Sequence, residues 1–303
     1  MGRFAPSPTG RLHLGNLRTA MVAWLSARHH GGQFLVRMED LDRVTSSTAH
    51  EAAQLADLAA LGLDWDGPVV RQSERFGLYD DAIARLDAAG RLYECFCTRR
   101  EIREAASAPH GDLTAGDAYP GTCRRLSAAG REARRAEGRP PALRLDAEGE
   151  VVQVADDVLG VIRLAVDDVV VRRNDGVPAY NLAVVVDDAA QGVTEVVRGD
   201  DLATSTPRQV LLQRLLGLVT PRYRHVPLVL GGDGQRLAKR HGAVTLADMA
   251  DAIGLGIDAV AVQVRSLLAV SIGVAEPGET VTMGVLAERF DLAHLPREPW
   301  VLP

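Results

Sequence analysis

The stretch RFAPSPTGRLHLGN at residues 3–16 gives the first indication of the fold of this chain. It reads as a short strand, a loop rich in proline and glycine, and the start of a helix that we expect over about 14–29. The stretch FLVRM at 34–38 reads as a second, buried strand, and another helix is expected over about 48–61. This strand–helix–strand–helix order predicts an α/β fold built on a doubly wound parallel sheet.

Sheet and helix patterns continue in the second half of the chain. From about residue 158 three apolar runs predict further strands, at 169–171, 182–186 and 196–197. The segment TSTP at 204–207 combines capping residues with a proline and predicts the start of a helix. Residues 240–272 read as helical and are followed by a short tail.

Composition limits the class of protein. With 303 residues, 47% of them hydrophobic, the chain is long enough to bury one large core or two modest ones. It contains no run of about 18 apolar residues, and its N-terminus lacks the features of a signal peptide, so we expect a cytoplasmic protein without a membrane span. The formal net charge of −6 does not indicate a nucleic-acid binder, so any RNA contact must come from a local basic patch.

Residues 91–150 differ in character from the rest and read as an insertion. They contain all three cysteines, and residues 91–144 hold 11 arginines against 7 acidic residues, a net charge of +4. An excess of arginine in an acidic protein indicates a surface that contacts a polyanion. A solvated charged helix around Glu132–Arg135 is the alternative explanation for individual arginines.

The first of two loops with phosphate-binding residue types places His13 and Gly15 at the expected start of a helix. The amides and dipole of a helix N-terminus favour an anion, glycine lets a ligand approach the backbone, and histidine donates to a phosphate oxygen. An ordinary capping or core histidine is the alternative.

The second loop, GGDGQRLAKRHG at 231–242, carries Lys239, the one lysine among 34 basic residues. A glycine-rich loop with a flexible point charge suits a triphosphate. A surface hairpin with incidental charge is the alternative, but arginine would serve that role equally well. The lone lysine therefore favours a functional loop.

Four motifs in chain order resemble those of one enzyme family: RFAPSPTG from residue 3, VRMEDLDR from residue 36, VVRGDDL from residue 196 and RLAKRHGA from residue 236. The stretch around His13 resembles the HIGH signature of the class I aminoacyl-tRNA synthetases, and the stretch around Lys239 resembles their KMSKS signature. The amino-acid sequences of all four motifs are similar to those of the glutamyl branch.

The resemblance implies a Rossmann-type doubly wound parallel sheet with an inserted zinc-containing subdomain and a short helical C-terminal segment, without an anticodon-binding domain. The expected division is the first half of the catalytic domain at 1–90, the insert at 91–157, the second half with the KMSKS-like loop at 158–240, and the helical segment at 241–303.

The resemblance also implies a pocket for L-glutamate. Arg3 and Arg198 would hold the side-chain carboxylate, which matches the pairing of arginine forks with carboxylates. Glu39 would pair with the ammonium group, and Tyr180 would line the pocket. The full expected set is Arg3, Ala5, Ser7, Glu39, Tyr180 and Arg198. Buried structural ion pairs are the alternative for Arg3 and Glu39.

For ATP, which is expected with Mg²⁺, the implied residues are His13, Gly15, Asn16, Arg236 and Lys239. His13 and Lys239 would be catalytic by stabilising the α-phosphate as the substrate carboxylate attacks it, and positioning with charge stabilisation suffices without a protein nucleophile. The chain departs from the signatures at Asn16, in place of a second histidine, and at Ala238, in place of a serine. The missing hydroxyl predicts a modest turnover.

The chain stops soon after the KMSKS-like loop, whereas bacterial glutamyl-tRNA synthetases continue into anticodon-reading domains. A shortened branch of the family transfers glutamate from glutamyl-adenylate to queuosine in the anticodon of tRNA(Asp), and the cis-diol of that base resembles the terminal ribose diol. This branch implies L-glutamate, ATP and queuosine-bearing tRNA(Asp) as partners of a monomer.

The three cysteines are expected to hold a structural zinc ion. Two thiolates one residue apart do not easily bond to each other, but both can face one tetrahedral ion. Cys95, Cys97, Tyr119 and Cys123 resemble the zinc site of the shortened branch. His110 or water are alternatives to Tyr119, and three free thiols are the alternative to a metal. The ion would pin the arginine-rich insert without a part in catalysis.

Other functions remain open from the sequence. The nearest is a minimal glutamyl-tRNA synthetase that charges the tRNA 3′ end; a glutaminyl enzyme fits less well, because Arg198 suits a carboxylate better than an amide. A small-molecule nucleotidylyltransferase would share the histidine loop but not need paired arginines or the cysteines. An inactive RNA-binding regulator is a further alternative, and the presence of His13, Glu39 and Lys239 together argues against it.

Overall fold

The computed structural model describes residues 1–98, 100–102, 119–237, 242 and 244–302, and we number its elements within those ranges. The strands are β1 Gly2–Phe4, β2 Phe34–Met38, β3 Val70–Arg71, β4 Leu92–Cys95, β5 Ala142–Leu145, β6 Val151–Asp156, β7 Gly160–Ala165, β8 Val170–Arg172, β9 Glu195–Gly199, β10 Arg222–Val226, β11 Val229–Leu230 and β12 Trp300–Val301. The α-helices are α1 Leu14–His29, α2 Thr48–Leu61, α3 Phe76–Ala88, α4 Ala128–Ala136, α5 Tyr180–Ala190, α6 Thr206–Leu215, α7 Leu246–Ile253, α8 Ile257–Ser271 and α9 Met283–Arg289.

A central sheet is built from two adjoining parts. One has the order β1–β2–β3, all parallel, and the other has the order β9–β10–β6–β7, parallel except at the β6–β7 hairpin. The amides of Thr194 and Glu195 donate to the carbonyl oxygen of Met1 at 3.0 and 3.2 Å, which places β9 alongside β1. The strand order therefore reverses between β1 and β9, and a crevice outside the carboxyl ends of the strands at such a point is where α/β folds bind ligands.

Helices cover both faces of the sheet, as the predicted doubly wound fold requires. One apolar core contains buried residues of α1, α2 and α8, and a second contains buried residues of α3, α5 and α6. The predicted helices at 14–29 and 48–61 and the strand at 34–38 are confirmed. Local signals explain this accuracy, because Ser47 caps α2 through the amide of His50 and Gly62 ends it in the left-handed conformation.

The prediction of a strand at 182–186 is wrong, because these residues lie in α5. A continuous apolar run buries equally well as a central strand or as a helix enclosed on all sides, and periodicity alone does not separate the two. Every residue of the run is buried in the core shared with α3 and α6. Residues 196–197 do form part of β9, as predicted.

The cysteine-bearing region forms a small antiparallel sheet of its own with the order β4–β5–β8. The predicted strand at 169–171 therefore belongs largely to this sheet, and not to the parallel one. In contrast β6, which precedes residue 157, pairs with β10 of the central sheet. Sheet membership thus crosses the expected boundary at 157, while the division into four domains stays a prediction.

The C-terminal part is helical, as predicted. Pro207 lies in the first turn of α6, and α7 and α8 follow within 240–272. In the described part of the chain no single helix is long and apolar enough to span a membrane; α7 and α8 reach the required length and composition only as a pair bent by 113°.

Candidate active site

A cleft of about 510 Å³ opens where β1 and β9 end and α1 begins. Its walls include every described residue that the sequence predicts for glutamate or ATP: Arg3, Ala5, Ser7, His13, Gly15, Asn16, Glu39, Tyr180, Arg198 and Arg236. Lys239, Ala238 and the alternative zinc ligand His110 lie outside the described residues. The structure thus brings the candidates together, and their individual roles stay predictions.

The loop between β1 and α1 is fastened by backbone contacts with neighbouring elements. Gln54 of α2 donates from its amide nitrogen to the carbonyl oxygens of Ser7 and Gly10, at 3.0 and 2.7 Å. The amides of Glu39 and Ser47 donate to the carbonyl oxygens of Pro6 and Pro8, at 2.9 and 3.0 Å. The loop is therefore held to β2 and α2 by hydrogen bonds to four of its carbonyl oxygens.

His13 is the N-cap of α1 and lines the cleft at the same time. Its Nδ1 accepts from the amide of Asn16 at 3.2 Å, and the Asn16 side chain accepts from the His13 amide at 3.2 Å. Burial, and next the charge of Arg236, lower the pKa of His13. A neutral ring whose Nδ1 accepts carries its proton on Nε2, so His13 retains one donor for a ligand. The capping role and the ligand role are therefore compatible.

Gly15 has a contact that the sequence did not reveal. A Cβ at this position would lie 3.0 Å from Cε1 and Nδ1 of the His13 ring and 3.5 Å from Cβ of Val229. Most real Cβ contacts are longer than this, so any residue other than glycine would shift the His13 ring by a few tenths of an ångström. Glycine at this position therefore favours the observed place of the histidine ring, in addition to any approach by a ligand.

The two arginines of the predicted glutamate pocket have different partners. Arg3 pairs through Nε with Asp188 at 3.3 Å and donates from Nη1 to the carbonyl oxygen of Val197 at 3.2 Å. Arg198 donates from Nε to Nε2 of His225 at 3.1 Å and from Nη2 to Thr206 at 2.8 Å. Its Nη1 is buried and has no hydrogen-bond partner among the described residues. A buried donor without a partner is costly, and a bound carboxylate would satisfy it.

Glu39 follows β2 and lies 3.6 Å from Nη2 of Arg37, a fully buried residue. Arg37 also pairs with Asp188 at 2.8 Å and with Asp187 at 3.7 Å. Burial raises the pKa of Glu39 to about 7, although the charges of Arg37 and Arg3 oppose the rise. The ion pairs that the sequence left as an alternative are thus present around Arg3 and Glu39, and these two residues also line the cleft.

Tyr180, the first residue of α5, separates the cleft from a second cavity of about 770 Å³. Ser7, Glu39 and Tyr180 line both, so the two spaces adjoin each other. The far wall of the second cavity belongs to the insert and includes Cys95, Phe96, Cys97, Arg139 and Arg144. A molecule in the second cavity therefore lies against the insert and reaches the cleft past Tyr180.

The KMSKS-like loop begins and ends beside His13. Arg236, three residues before Lys239, lines the cleft and pairs with Asp201 at 2.7 Å. After the loop, the carbonyl oxygen of Val244 accepts from the amide of Leu14 at 2.9 Å. Both anchors place the ends of this loop at the mouth of α1.

The cysteine cluster has the composition of a metal site. The Sγ atoms of Cys95, Cys97 and Cys123 lie within 4.8 Å of one another, with 3.4 Å between those of Cys97 and Cys123. Tyr119 Oη lies 3.4 Å from Sγ of Cys95 and 3.7 Å from Sγ of Cys97. Zn–S bonds of about 2.3 Å in a tetrahedron place sulfur atoms roughly 3.8 Å apart, so these donors fit one zinc ion with little adjustment. The guanidinium carbon of Arg144 lies 3.7 Å from the Tyr119 ring centroid, within the range of a cation–π contact, and burial raises the pKa of the Tyr119 hydroxyl.

The sequence did not reveal the buried residues that contact Arg3 and Arg198 from outside the cleft. Asp188 supports Arg3, while His225 and Thr206 support Arg198. The available signal was polar residues inside apolar stretches, as in VVVDD at 184–188 and YRHVP at 223–227. Such residues indicate buried polar contacts but do not identify the partner.

Comparisons with known proteins agree with one another. Residues 1–301 match the family described as tRNA synthetases class I (E and Q), catalytic domain. A Glutamyl-Q tRNA(Asp) synthetase of Nocardia farcinica is 61% identical over 99% of this chain and 92% of its own length. Another, of Symbiobacterium thermophilum, is 51% identical over 100% of this chain and 95% of its own. The solved glutamate-tRNA synthetase of Elizabethkingia anophelis is similar at a TM-score of 0.81 and 27% identity, over 99% of this chain and 67% of its own.

Proposed function

The chain belongs to the class I tRNA synthetases for glutamate and glutamine, and on that premise we propose that it is a ligase that transfers glutamate to tRNA(Asp). It activates L-glutamate with ATP and esterifies the queuosine base at the anticodon wobble position. The observation that carries this proposal is the likeness, along nearly the whole of both chains, to two relatives whose names specify glutamyl-Q and tRNA(Asp).

The partners of the two arginines support glutamate as the amino acid. Arg198 has a buried nitrogen that lacks a partner in the described part of the chain, and Arg3 lies in the same cleft. Two guanidinium groups provide the bidentate, charged donors that a side-chain carboxylate needs. Glu39 supplies the opposite charge for the substrate ammonium, with Ala5, Ser7 and Tyr180 completing the wall.

Activation requires only positioning and charge. An oxygen of the substrate α-carboxylate attacks the α-phosphorus of ATP, the bond from that phosphorus to the bridging oxygen breaks, and pyrophosphate leaves. His13 donates from Nε2 to the α-phosphate, and Lys239 neutralises the charge that develops on it; preorganised donors of this kind supply much of the rate enhancement in such sites. Gly15, Asn16 and Arg236 complete the ATP site, and the Mg²⁺ that accompanies ATP shields its phosphates.

Transfer uses the second cavity. A hydroxyl of the queuosine cis-diol attacks the acyl carbon of glutamyl-adenylate and forms an ester. The bond from that carbon to the phosphate oxygen breaks, and AMP leaves with its phosphate accepting the hydroxyl proton. Arg139, Arg144 and Arg173 line this cavity, and positive charge there suits the phosphates of an anticodon loop. Because Tyr180 stands between the two spaces, the accepting hydroxyl reaches the adenylate past its ring.

The cysteine cluster holds a structural zinc ion in this proposal, bound by Cys95, Cys97, Tyr119 and Cys123. The separations among these donor atoms fit a tetrahedral ion of this kind. When bound, zinc supplies no chemistry to the reaction and ties β4 to the segment around Tyr119. The walls of the second cavity then keep their shape.

The test is an incubation with ATP, labelled glutamate and either of two tRNA(Asp) samples, one with queuosine and one without. We expect label on the modified sample alone, and we expect it to survive removal of the 3′ adenosine. Label on tRNA(Glu) and on neither tRNA(Asp) sample would contradict the proposal and make the protein a minimal charging enzyme, a function that the likeness to the Elizabethkingia anophelis glutamate-tRNA synthetase favours.

A further inference from the structure

Arg198 is held by a group of three buried side chains, which we call the relay: Asp156, His225 and Thr206. We propose that the relay positions Arg198 for a side-chain carboxylate and makes the cleft prefer glutamate to glutamine. This inference deepens the proposed function and rests on it, because it takes Arg198 as a ligand of the substrate carboxylate.

His225 lies at the centre of the relay, on β10, and is completely buried. Its Nδ1 lies 2.6 Å from Oδ2 of Asp156, and its Nε2 lies 3.1 Å from Nε of Arg198. Its backbone amide also donates to Asp156. The ring therefore bridges an acid on β6 to an arginine on β9, across three adjacent strands.

These contacts determine where the imidazole proton lies. Arg198 has only donors, so Nε2 of His225 must be the acceptor in their hydrogen bond. The single proton of a neutral ring then lies on Nδ1 and is donated to Asp156. Burial lowers the pKa of His225, and although burial alone would raise the pKa of Asp156, bonds from His225, Leu159 and Val158 hold it below its ordinary value. An ionised Asp156 and a neutral His225 are thus the consistent pair.

Thr206 adds a second fixed point. Its Oγ1 accepts from Nη2 of Arg198 at 2.8 Å and lies 3.1 Å from Nε2 of His225. Thr206 is the first residue of α6, and His225 lies on β10. Together they bind two of the three guanidinium nitrogens of Arg198, Nη2 and Nε. The third, Nη1, is the buried nitrogen that lacks a partner in the described ranges.

The comparison with Arg3 explains why neutral contacts matter. Arg3 pairs directly with the carboxylate of Asp188 at 3.3 Å, whereas no carboxylate in the described part of the chain lies within 4.0 Å of the Arg198 guanidinium. Its contacts are the neutral ring of His225, the hydroxyl of Thr206 and the face of the Tyr223 ring, 5.5 Å from the guanidinium carbon. None of these groups is ionised, so more of the charge of Arg198 is left for a ligand. An anionic side chain gains from that charge much more than an amide does, which gives a preference for glutamate.

The relay is tested with Thr206→Val, which removes the hydroxyl, and Thr206→Ser, which retains it. Thr204→Val, the same change at an exposed threonine two residues earlier, is the control. Pyrophosphate exchange in the presence of queuosine-bearing tRNA(Asp) gives KM for glutamate and ATP, and kcat/KM for glutamine. Loss of a hydrogen bond to a charged group predicts that KM for glutamate rises roughly tenfold in Thr206→Val. KM for ATP should not change. The ratio of kcat/KM for glutamate to kcat/KM for glutamine should fall. Thr206→Ser is expected to restore both values.

A second pair of variants tests the ring. His225→Gln keeps an acceptor oxygen near the position of Nε2, whereas His225→Leu has none, so the glutamine variant is expected to retain more of the preference for glutamate. An unchanged KM for glutamate in Thr206→Val, or equal rises for glutamate and ATP, would overturn the relay while the proposed function stands. A wild-type enzyme without glutamate-dependent exchange would overturn the proposed function and the relay with it.

Discussion

The cleft and the insert hold their functional groups in different ways. At the cleft, most of the charged side chains pair with one another: Asp188 pairs with both Arg3 and Arg37, and Asp201 pairs with Arg236. Arg198 is held by neutral partners and keeps one nitrogen without a partner among the described residues. In the insert, the core is a small cluster of Tyr93, Cys95, Phe96, Tyr119 and Cys123. Cys97 packs against this cluster, and the Sγ atoms of the three cysteines lie within 4.8 Å of one another.

This difference indicates which of the two regions depends on an added component. A cleft whose loop and side chains are fixed by the protein keeps its geometry before substrates arrive, and preorganisation of this kind is what catalysis by positioning requires. A small cluster of thiols gains most of its stability from a metal ion. Activation should therefore depend on the cleft alone, whereas transfer should depend on both regions.

The largest expected effect comes from the cleft. His13→Ala removes the Nε2 donor, and loss of one such donor predicts a fall in kcat for pyrophosphate exchange of roughly 10²- to 10³-fold. The lost cap costs about 1 kcal/mol of stability, so circular dichroism should still show a folded protein. His294→Ala is the control, because that side chain is 80% exposed and far from the cleft elements in sequence. A normal kcat in His13→Ala would remove His13 from the mechanism.

The second effect separates the two regions. Cys97→Ala, or treatment with a zinc chelator, is expected to lower glutamylation of tRNA(Asp) roughly tenfold or more, in line with what loss of metal-site residues costs, and to leave pyrophosphate exchange within about twofold. Metal analysis of protein purified without added metal should give close to one zinc per chain. Less than a tenth of an equivalent, or an equal loss of both activities, would contradict the separation.

The pH dependence of glutamate binding tests the role of Glu39 in the cleft. Burial raises the pKa of Glu39 from 4.5 to about 7, so its contribution to stability is present below about pH 4.5 and is lost as the pH rises through 7. Binding of the substrate ammonium requires the ionised form, which grows from about a tenth to about nine tenths between pH 6 and pH 8. Calorimetry should therefore show glutamate binding roughly tenfold tighter at pH 8 than at pH 6. Glu39→Gln should bind weakly with little change over that range, and a wild-type affinity independent of pH would contradict the role of Glu39.

The smallest effect concerns the fit of the capping histidine. Gly15→Ala introduces a Cβ 3.0 Å from the His13 ring, and a shift of a few tenths of an ångström predicts a fall in kcat of roughly threefold to tenfold. Gly77→Ala is the matched control, since Gly77 is also the second residue of its helix and a Cβ there meets nothing within 4 Å. If Gly15→Ala and Gly77→Ala had the same effect on kcat, the contact between Gly15 and His13 would not contribute to catalysis.

Local signals made the first half of the fold predictable. The caps at His13, Ser47 and Gly62 lie within a few residues of the helices they limit, so a single sequence reveals them. The run at 182–186 misled, because full burial hides the periodicity that separates helix from strand.

The candidate site was predictable as a set of motifs but not as a network. The resemblance indicated which side chains share a cleft, and their convergence there follows from the strand order at β1 and β9. In contrast, the pairs Arg3–Asp188 and Arg198–His225 join residues 185 and 27 positions apart. Contacts of that kind depend on how strands and helices pack, and no local pattern in the chain specifies them.

In the proposed reaction the glutamyl group is attached to queuosine. The most direct measurement is nuclease digestion of queuosine-bearing tRNA(Asp) after reaction with ATP and glutamate, followed by mass spectrometry of the nucleosides. We expect a queuosine nucleoside that carries one glutamyl ester, and no such product in the absence of ATP. Unmodified queuosine together with glutamate on the 3′-terminal adenosine would contradict it.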